Sequence, residues 1–149
     1  MWIVAEINNN NQNLFISEII KKVKDTKIFY PKVLYKGKVK NILGNYIFCH
    51  NIFFKNRINS QLKYLKGLKS FLPGEVSSQK EISKFIQYCN NHENEKGFLK
   101  SSFFKKKIFK SGQFINGPFS SYLFEVASKE KKKLNIFLGN LNISISDEN

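Results

Sequence analysis

The stretch at residues 42–50 constrains the fold most, because a turn-forming Gly-Asn pair leads directly into an apolar, aromatic run with strong β preference. We interpret this run as a central strand of a sheet. Side chains alternate along a strand, so Tyr46 and Phe48 share one face. Ile47 and Cys49 share the other. We expect both faces to be covered by helices or by a partner, so that one face can belong to the core while the other recognises a partner.

Predicted strands and helices alternate on both sides of this strand. Residues 2–7 form an apolar run that is typical of a strand buried on both faces. After a polar loop, residues 15–23 repeat apolar side chains at helical spacing, with Asn13 as the expected N-cap. Residues 28–35 regain β character and turn back through a basic tip, Lys36-Gly37-Lys38, toward the central strand. This segment predicts a hairpin with a cationic tip.

Three further elements complete the first part of the chain. They are a short helix at 59–66, a strand at 68–72, and a helix that starts with a capping box at Ser78 and Glu81 and presents Ile82, Phe85, Ile86 and Cys89 on one face. The order strand, helix, strand, strand, helix, strand, helix predicts an α+β fold with the ferredoxin-like split βαβ arrangement.

A polar segment that begins at residue 90 interrupts every pattern, so we place a domain boundary there. We predict a first domain at residues 1–92, a linker at 93–106 and a second domain at 107–149. Short alternating strands and turn residues in the second domain predict a small β-barrel, which we prefer to a helical hairpin.

The net charge of +14 over 149 residues favours an anionic partner, with nucleic acid ahead of a membrane surface. The lysine runs at 105–107 and 131–133 are candidates for phosphate contacts, and an ordinary solvated surface is the alternative. No apolar run approaches the roughly 18 residues that span a bilayer, and the first residues do not have the pattern of a signal peptide. We expect a cytoplasmic protein.

Catalytic and metal-binding patterns are missing from the sequence. Cys49 and Cys89 fall on predicted apolar faces and have no ligand spacing, so we expect reduced core thiols. His50 and His92 are far apart and lack acidic or cysteine neighbours arranged as ligands. The chain has no Gly-rich phosphate loop and no nucleophile motif. We expect no metal, no cofactor and no enzymatic activity.

Two motifs together resemble the NusG family of transcription elongation factors. Residues 112–119, GQFINGPF, resemble the opening of a KOW motif, and residues 43–48, LGNYIF, resemble a strand of the NusG N-terminal domain. The order and spacing of the motifs and the Trp-led first strand also match, with the closest similarity to the specialised paralogues of the RfaH type. Gly44 stands where the family usually has proline, and Phe124 where KOW motifs commonly have glycine. The resemblance implies a NusG N-terminal domain followed by a KOW SH3-like β-barrel.

The resemblance also implies partners and site residues. The first domain of the family binds transcribing RNA polymerase, and the barrel contacts a further partner, a ribosomal protein or Rho. Tyr46 and Phe48 match aromatic positions that dock on the polymerase clamp helices, and core packing is the alternative for both. Phe119 matches the KOW loop aromatic that contacts partners, with barrel-core packing as the alternative. The candidates for contact with non-template DNA or nascent RNA are Lys36, Lys38, Lys105, Lys106 and Lys107.

The function implied is antitermination by binding, not catalysis. A monomer that clamps polymerase in its elongating state shifts the population away from paused states, provided that it binds the two states with different affinities. The alternative function is that of a ribosome-associated or general RNA-binding KOW protein, since small basic barrels with KOW motifs also occur in such proteins.

Overall fold

The computed structural model describes residues 1–56, 62–72, 79–100 and 102–105. The described strands are β1 (Trp2–Ile7), β2 (Lys27–Phe29), β3 (Lys32–Tyr35), β4 (Lys38–Asn41), β5 (Tyr46–His50) and β6 (Leu68–Phe71), and the helices are α1 (Gln12–Lys22), α2 (Gln79–Asn90) and α3 (Ser102–Lys105). Two compact units alternate along the chain. The first contains residues 1–30 and the described part of 45–79, and the second contains residues 31–44 and the described residues from 80 onward. The described part is an α+β fold.

The first unit contains a four-stranded antiparallel sheet in the order β2-β5-β1-β6. β1 runs antiparallel to both β5 and β6, and β5 runs antiparallel to β2. Consequently β1 and β2 are parallel to each other with β5 between them. β5 and β6 are likewise parallel with β1 between them. The predicted central position of the strand at residues 46–50 is confirmed.

One face of this sheet packs against α1. The core contains side chains from β1 and β5, the inner side of α1, and the crossover between β5 and β6, namely Ile3, Ala5, Ile7, Ile47, Cys49, Phe15, Ile19, Phe54, Leu62 and Leu65. The crossover includes two 3₁₀ turns, Ile52–Asn56 and Leu62–Tyr64, where the sequence predicted one short helix at 59–66. Burial of apolar area on this face is the main stabilising contribution to the unit.

The two faces of β1 are both covered. Ile3, Val4 and Ala5 are consecutive, so they point alternately to opposite faces, and all three are fully buried. The prediction of a strand buried on both faces is confirmed.

The start of α1 differs from the prediction. The helix begins at Gln12 with Asn11 as its N-cap residue, and the Asn11 side chain makes no capping hydrogen bond. Asn10 has a left-handed backbone with φ of 64°, which turns the chain into the helix before Asn13 is reached. The predicted cap at Asn13 is therefore wrong by two residues.

The second unit contains the β3–β4 hairpin. The predicted single strand at 28–35 is divided: β2 ends at Phe29 in the first sheet, and β3 starts at Lys32 in a separate two-stranded sheet. The division falls at Pro31, which has no N–H for a ladder and favours the start of a strand. The Pro31 carbonyl accepts a 3.0 Å hydrogen bond from the Ile42 N–H and closes the base of the hairpin.

Helix α2 carries the predicted apolar face, since Ile82, Phe85, Ile86 and Cys89 are all buried. Ser78 lies outside the described residues, so the capping box stays a prediction. After α2 the chain reverses at Asn94, whose side-chain Oδ1 accepts hydrogen bonds from the N–H groups of Lys96 and Phe98 at 2.9 and 3.0 Å. The predicted linker at 93–106 stays a prediction, and the predicted barrel at 107–149 lies outside the described residues. Among the helices that are described, none is long and apolar enough to cross a membrane.

Candidate functional site

Phe48 lies inside the first unit. The β1–β5 register places it opposite Val4. Its ring packs edge-on against the Trp2 ring, with 6.4 Å between centroids, and at a tilt of 42° against the Phe29 ring, with 6.1 Å between centroids. The side chain has no exposed surface. The expectation of an exposed Phe48 is therefore wrong, because the rings of Trp2 and Phe29 pack against it on the central strand. Core packing, the alternative given for this residue, describes what is observed.

Tyr46 is half-buried at the beginning of β5 and lies opposite Glu6 in the register. The preceding residue, Asn45, is exposed, and its Nδ2 donates a 2.6 Å hydrogen bond to Oδ1 of Asn9. The Asn45 carbonyl accepts a 2.8 Å hydrogen bond from the Ile7 N–H. These two bonds fix the start of β5 against the loop after β1, so the ring of Tyr46 is held at the end of the sheet with part of its surface accessible.

His50, at the other end of β5, is a structural residue. Its Nε2 lies 3.3 Å from the Met1 amino group, and its ring lies 4.9 Å from the Trp2 ring. Burial, followed by the positive charges of the Met1 amino group and Lys27, lowers the pKa of His50 below its usual value. A neutral imidazole can accept a hydrogen bond from an ammonium group, so the contact itself favours the neutral form. Within the described ranges, no group of His, Cys, Asp and Glu side chains could hold a metal ion.

Both cysteines are free and buried, one in each unit. Burial raises the pKa of the Cys49 thiol, and the same cause raises the pKa of Cys89. Because the thiolate is the nucleophilic form, neither residue is suited to covalent chemistry. The prediction of reduced core thiols is confirmed.

The β3–β4 hairpin presents a basic surface. Lys36 and Gly37 form its two-residue turn with φ of 46° and 75°, the positive values that a type I′ turn requires. Lys36, Lys38 and Lys40 are exposed. The predicted cationic tip is confirmed as a structure, and its contact with nucleic acid stays a prediction.

Sequence reasoning missed an apolar pair on the same hairpin. Leu34 and Val39 are partners in the β3–β4 register and are 45% and 50% exposed. Val39 alternates with Lys38 and Lys40, but a half-exposed strand and a strand with one buried face give the same alternation. Leu34 lies between Val33 and Tyr35, and that apolar run gives no signal of exposure.

The base of the hairpin is held firmly within the second unit. Val33 is buried, and the Lys32 carbonyl accepts a 2.8 Å hydrogen bond from the Leu99 N–H. The Lys32 ammonium lies 5.4 Å from the centre of the Phe98 ring, within the range of a cation–π contact. Burial raises the pKa of Glu93, and the positive charge of Lys32 opposes that rise. The exposed tip is therefore supported by a packed base.

A second cluster, around His92, serves packing. Nδ1 of His92 lies 3.0 Å from the Ser102 hydroxyl, and the Tyr88 hydroxyl donates a 2.9 Å hydrogen bond to the Phe103 carbonyl. The rings of Tyr88 and Phe103 are 5.1 Å apart, and Phe103 is fully buried. These contacts attach the segment after α2 to that helix, which accounts for His92 without a catalytic role.

The remaining predicted site residues are not described in the same detail. Lys105 ends helix α3, and its side chain is outside the described set. Lys106, Lys107 and Phe119 also lie outside the described residues. Their predicted contacts stay predictions.

Comparison with known proteins adds no relative. No known family model matches the chain, and no curated protein matches its sequence significantly. The family resemblance depends on the two motifs at residues 43–48 and 112–119, and a function based on it is a proposal.

Proposed function

We propose that the chain is a NusG-like transcription elongation and antitermination factor that binds RNA polymerase through its first domain. In this proposal residues 107–149 form a KOW barrel that binds a ribosomal protein or Rho. The proposal rests most on one observation: the motif at residues 43–48 leads into β5, a central strand of a sheet ordered β2-β5-β1-β6.

The strand order supports the proposal because it matches the split βαβ arrangement that the family resemblance implies. In that arrangement each crossover connects two parallel strands that have one antiparallel strand between them. The two parallel pairs overlap, and all neighbouring strands of the sheet are antiparallel. Here the crossover through α1 skips β5, and the crossover that carries Phe54, Leu62 and Leu65 skips β1. Both crossovers contribute to one core.

Of the two aromatic side chains in the motif, Tyr46 is half-buried and Phe48 is buried, so Tyr46 is the one whose ring a partner can contact. A partly supported ring loses little side-chain entropy on binding, which makes it an effective anchor. Binding then favours the elongating state of polymerase to the extent that this state presents the better surface. Lys36 and Lys38 are the described candidates for contact with non-template DNA or nascent RNA.

The test is the affinity of the full chain for RNA polymerase core enzyme. We expect the intact chain to bind, Tyr46→Ala to weaken binding about tenfold or more, and Tyr46→Phe to retain most of it, since the ring supplies the contact. Phe48→Ala is not a suitable probe because that side chain is buried. Failure of the intact, folded chain to bind polymerase would refute the proposal.

The exposed lysines of the hairpin favour a second candidate, a ribosome-associated or general RNA-binding protein. Phosphate contacts release counterions, so affinity for ribosomal RNA would fall steeply with salt. Replacing Lys38 and Lys40 by glutamine would then reduce the slope of log affinity against log salt by about two. Such a result, together with no affinity for polymerase, would support this candidate over the first.

A further inference from the structure

The backbone of β4 has an outward-facing edge at Val39. The Ile42 N–H donates a hydrogen bond to the Pro31 carbonyl, so these residues form a hydrogen-bonded pair at the base of the hairpin. Hydrogen-bonded and non-hydrogen-bonded pairs alternate along an antiparallel ladder. By the β3–β4 register, Leu34 and Val39 are therefore a non-hydrogen-bonded pair. The N–H and C=O of Val39 consequently point away from β3.

The same alternation is visible on β3. Lys32 is also in a non-hydrogen-bonded pair, and its carbonyl accepts a 2.8 Å hydrogen bond from Leu99, which lies outside the hairpin. Outward groups of this hairpin therefore do bind a further segment where one is at hand. Among the described residues, no hydrogen bond beyond the hairpin reaches the Val39 backbone. Lys38, Val39 and Lys40 are all exposed, so the β4 edge is accessible.

Side chains alternate between two faces along this edge. Val39 points to one face of the hairpin, and its neighbours Lys38 and Lys40 point to the other. A surface that approaches one face would meet only one of these two kinds of side chain. An extended strand that pairs along the edge alternates its own side chains and reaches both faces. The arrangement therefore favours strand addition, in which backbone hydrogen bonds give affinity and alternate side chains give specificity.

The two lysines determine which strand fits. In an antiparallel partner, the residues opposite Lys38 and Lys40 belong to non-hydrogen-bonded pairs, in which side chains are closest. Opposite charges stabilise such cross-strand pairs, and like charges destabilise them. A second copy of β4 would place Lys38 opposite Lys40, so repulsion opposes self-association, as lysines on edge strands commonly do. Acidic residues at both positions turn that repulsion into attraction.

We propose that the β4 edge binds an extended segment of a partner protein in which an apolar residue lies between two acidic ones. The apolar residue exchanges two backbone hydrogen bonds with Val39 and extends the Leu34–Val39 pair into a row of three side chains. The two carboxylates face Lys38 and Lys40. The type I′ turn and the buried Val33 hold the hairpin in place, so little conformational entropy is lost on binding.

The probe is a short synthetic peptide in which glutamate alternates with valine, and its binding to the full chain is measured by fluorescence anisotropy. One control peptide has lysine in place of glutamate, and another has the same composition with its glutamates in one block. We expect the alternating glutamate peptide to bind at least about tenfold more tightly than either control. Hydrogen exchange of the Val39 amide should slow when this peptide is bound.

Val39→Pro tests the backbone contact. The Val39 N–H faces outward, so its removal leaves the hairpin ladder intact, and edge strands accept proline. We expect the affinity for the glutamate peptide to fall about fivefold or more, with an unchanged midpoint of urea unfolding. The matched control is Val39→Ile, which keeps the N–H and an apolar β-branched side chain and should bind as the original chain does. Equal binding by the proline and isoleucine variants would overturn the inference.

A charge exchange, Lys38→Glu/Lys40→Glu, tests the inference even if the proline variant does not fold. We expect it to reverse the preference, so that the lysine peptide binds more tightly than the glutamate peptide. No binding of the glutamate peptide to the original chain at about 1 mM, or a preference that the exchange does not reverse, overturns the inference. Equal binding of the alternating and block peptides would show that charge alone is recognised and overturns it as well. Binding of oligouridylate but of no peptide identifies a nucleic-acid partner instead. Polymerase affinity is measured separately, so the proposed function stands or falls independently.

Discussion

Phe48 and Phe53 both belong to the first unit and differ widely in exposure, with Phe48 fully buried and Phe53 66% exposed. We expect Phe48→Ala to lower the free energy of unfolding by about 3–5 kcal/mol, because it leaves a cavity beside Trp2 and Phe29. Phe53→Ala, the matched control, should change it by no more than about 0.5 kcal/mol. Urea unfolding measures both. Equal effects would show that the Phe48 ring is not a core group.

His50 predicts a pH dependence of stability. Its pKa is lowered in the folded state, by burial first and then by the Met1 amino group and Lys27, so the unfolded chain binds the proton more tightly. The free energy of unfolding should therefore decrease as the pH falls below the ordinary histidine pKa of about 6.5 and toward the lower folded value.

Unfolding midpoints between pH 7.5 and 5.5 test this expectation. His50→Gln keeps a side chain that can accept a hydrogen bond and removes the titration, so its midpoint should vary less over the same range than that of the original chain. A variant whose pH dependence matches that of the original would assign the effect to another group.

At the residue scale, the sequence predicted which side chains share a face of a strand. It did not predict how much of each side chain is buried. The alternation of Tyr46 and Phe48 with Ile47 and Cys49 is correct. What covers a given face depends on segments distant in sequence, and no local pattern contains that information. The burial of Phe48 and the exposure of Leu34 are therefore results that only the three-dimensional structure provides.

At the scale of elements, two glycine turns of the same backbone sign should tolerate substitution differently. Gly67 has a φ of 83°, and a Cβ built there would lie 2.9 Å from the carbonyl oxygen of Asn11. Gly37 has a φ of 75° with no atom within 4 Å of such a Cβ. We expect Gly37→Ala to cost about 1 kcal/mol from backbone strain alone, and Gly67→Ala to cost clearly more than about 2 kcal/mol because the loop after β1 must also shift.

Thermal or urea unfolding of the two alanine variants provides the measurement. The difference between the two losses matters more than either value, since the strain term is shared and cancels on subtraction. Similar losses for both variants would mean that the contact between the Gly67 turn and Asn11 is not maintained in solution.

Element types were easier to predict than their allocation to sheets. Helix α2 and its buried face follow directly from the 3.6-residue period, because four apolar side chains recur on one side. The β2 and β3 strands were merged, since a β-rich run does not reveal which sheet each half joins. Pro31 lies between the two halves, and the structure places the change of sheet there.

At the scale of the whole molecule, Cys49 and Cys89 report separately on the two units, because each unit contains one buried free thiol. We expect both to react with a thiol reagent at pH 8 at least about a thousandfold more slowly in the folded chain than in denaturant. Burial raises both thiol pKa values, which slows the reaction further.

The single-cysteine variants Cys49→Ala and Cys89→Ala assign the rates. Equal rates at all denaturant concentrations indicate that the units open together, and different rates show that one opens first. Rapid labelling of either cysteine under native conditions would contradict the burial of that thiol.

The hydrogen bond from Leu99 to Lys32 has a consequence for biosynthesis. A short hairpin can form in microseconds, yet the residue that secures its base is translated long after the hairpin itself has been made. At ordinary rates of chain elongation the delay is roughly 3 to 12 s. For that time the nascent chain carries a basic ribbon with two exposed aliphatic side chains and no support beneath it, a form that chaperones and the ribosome surface encounter before the finished protein exists.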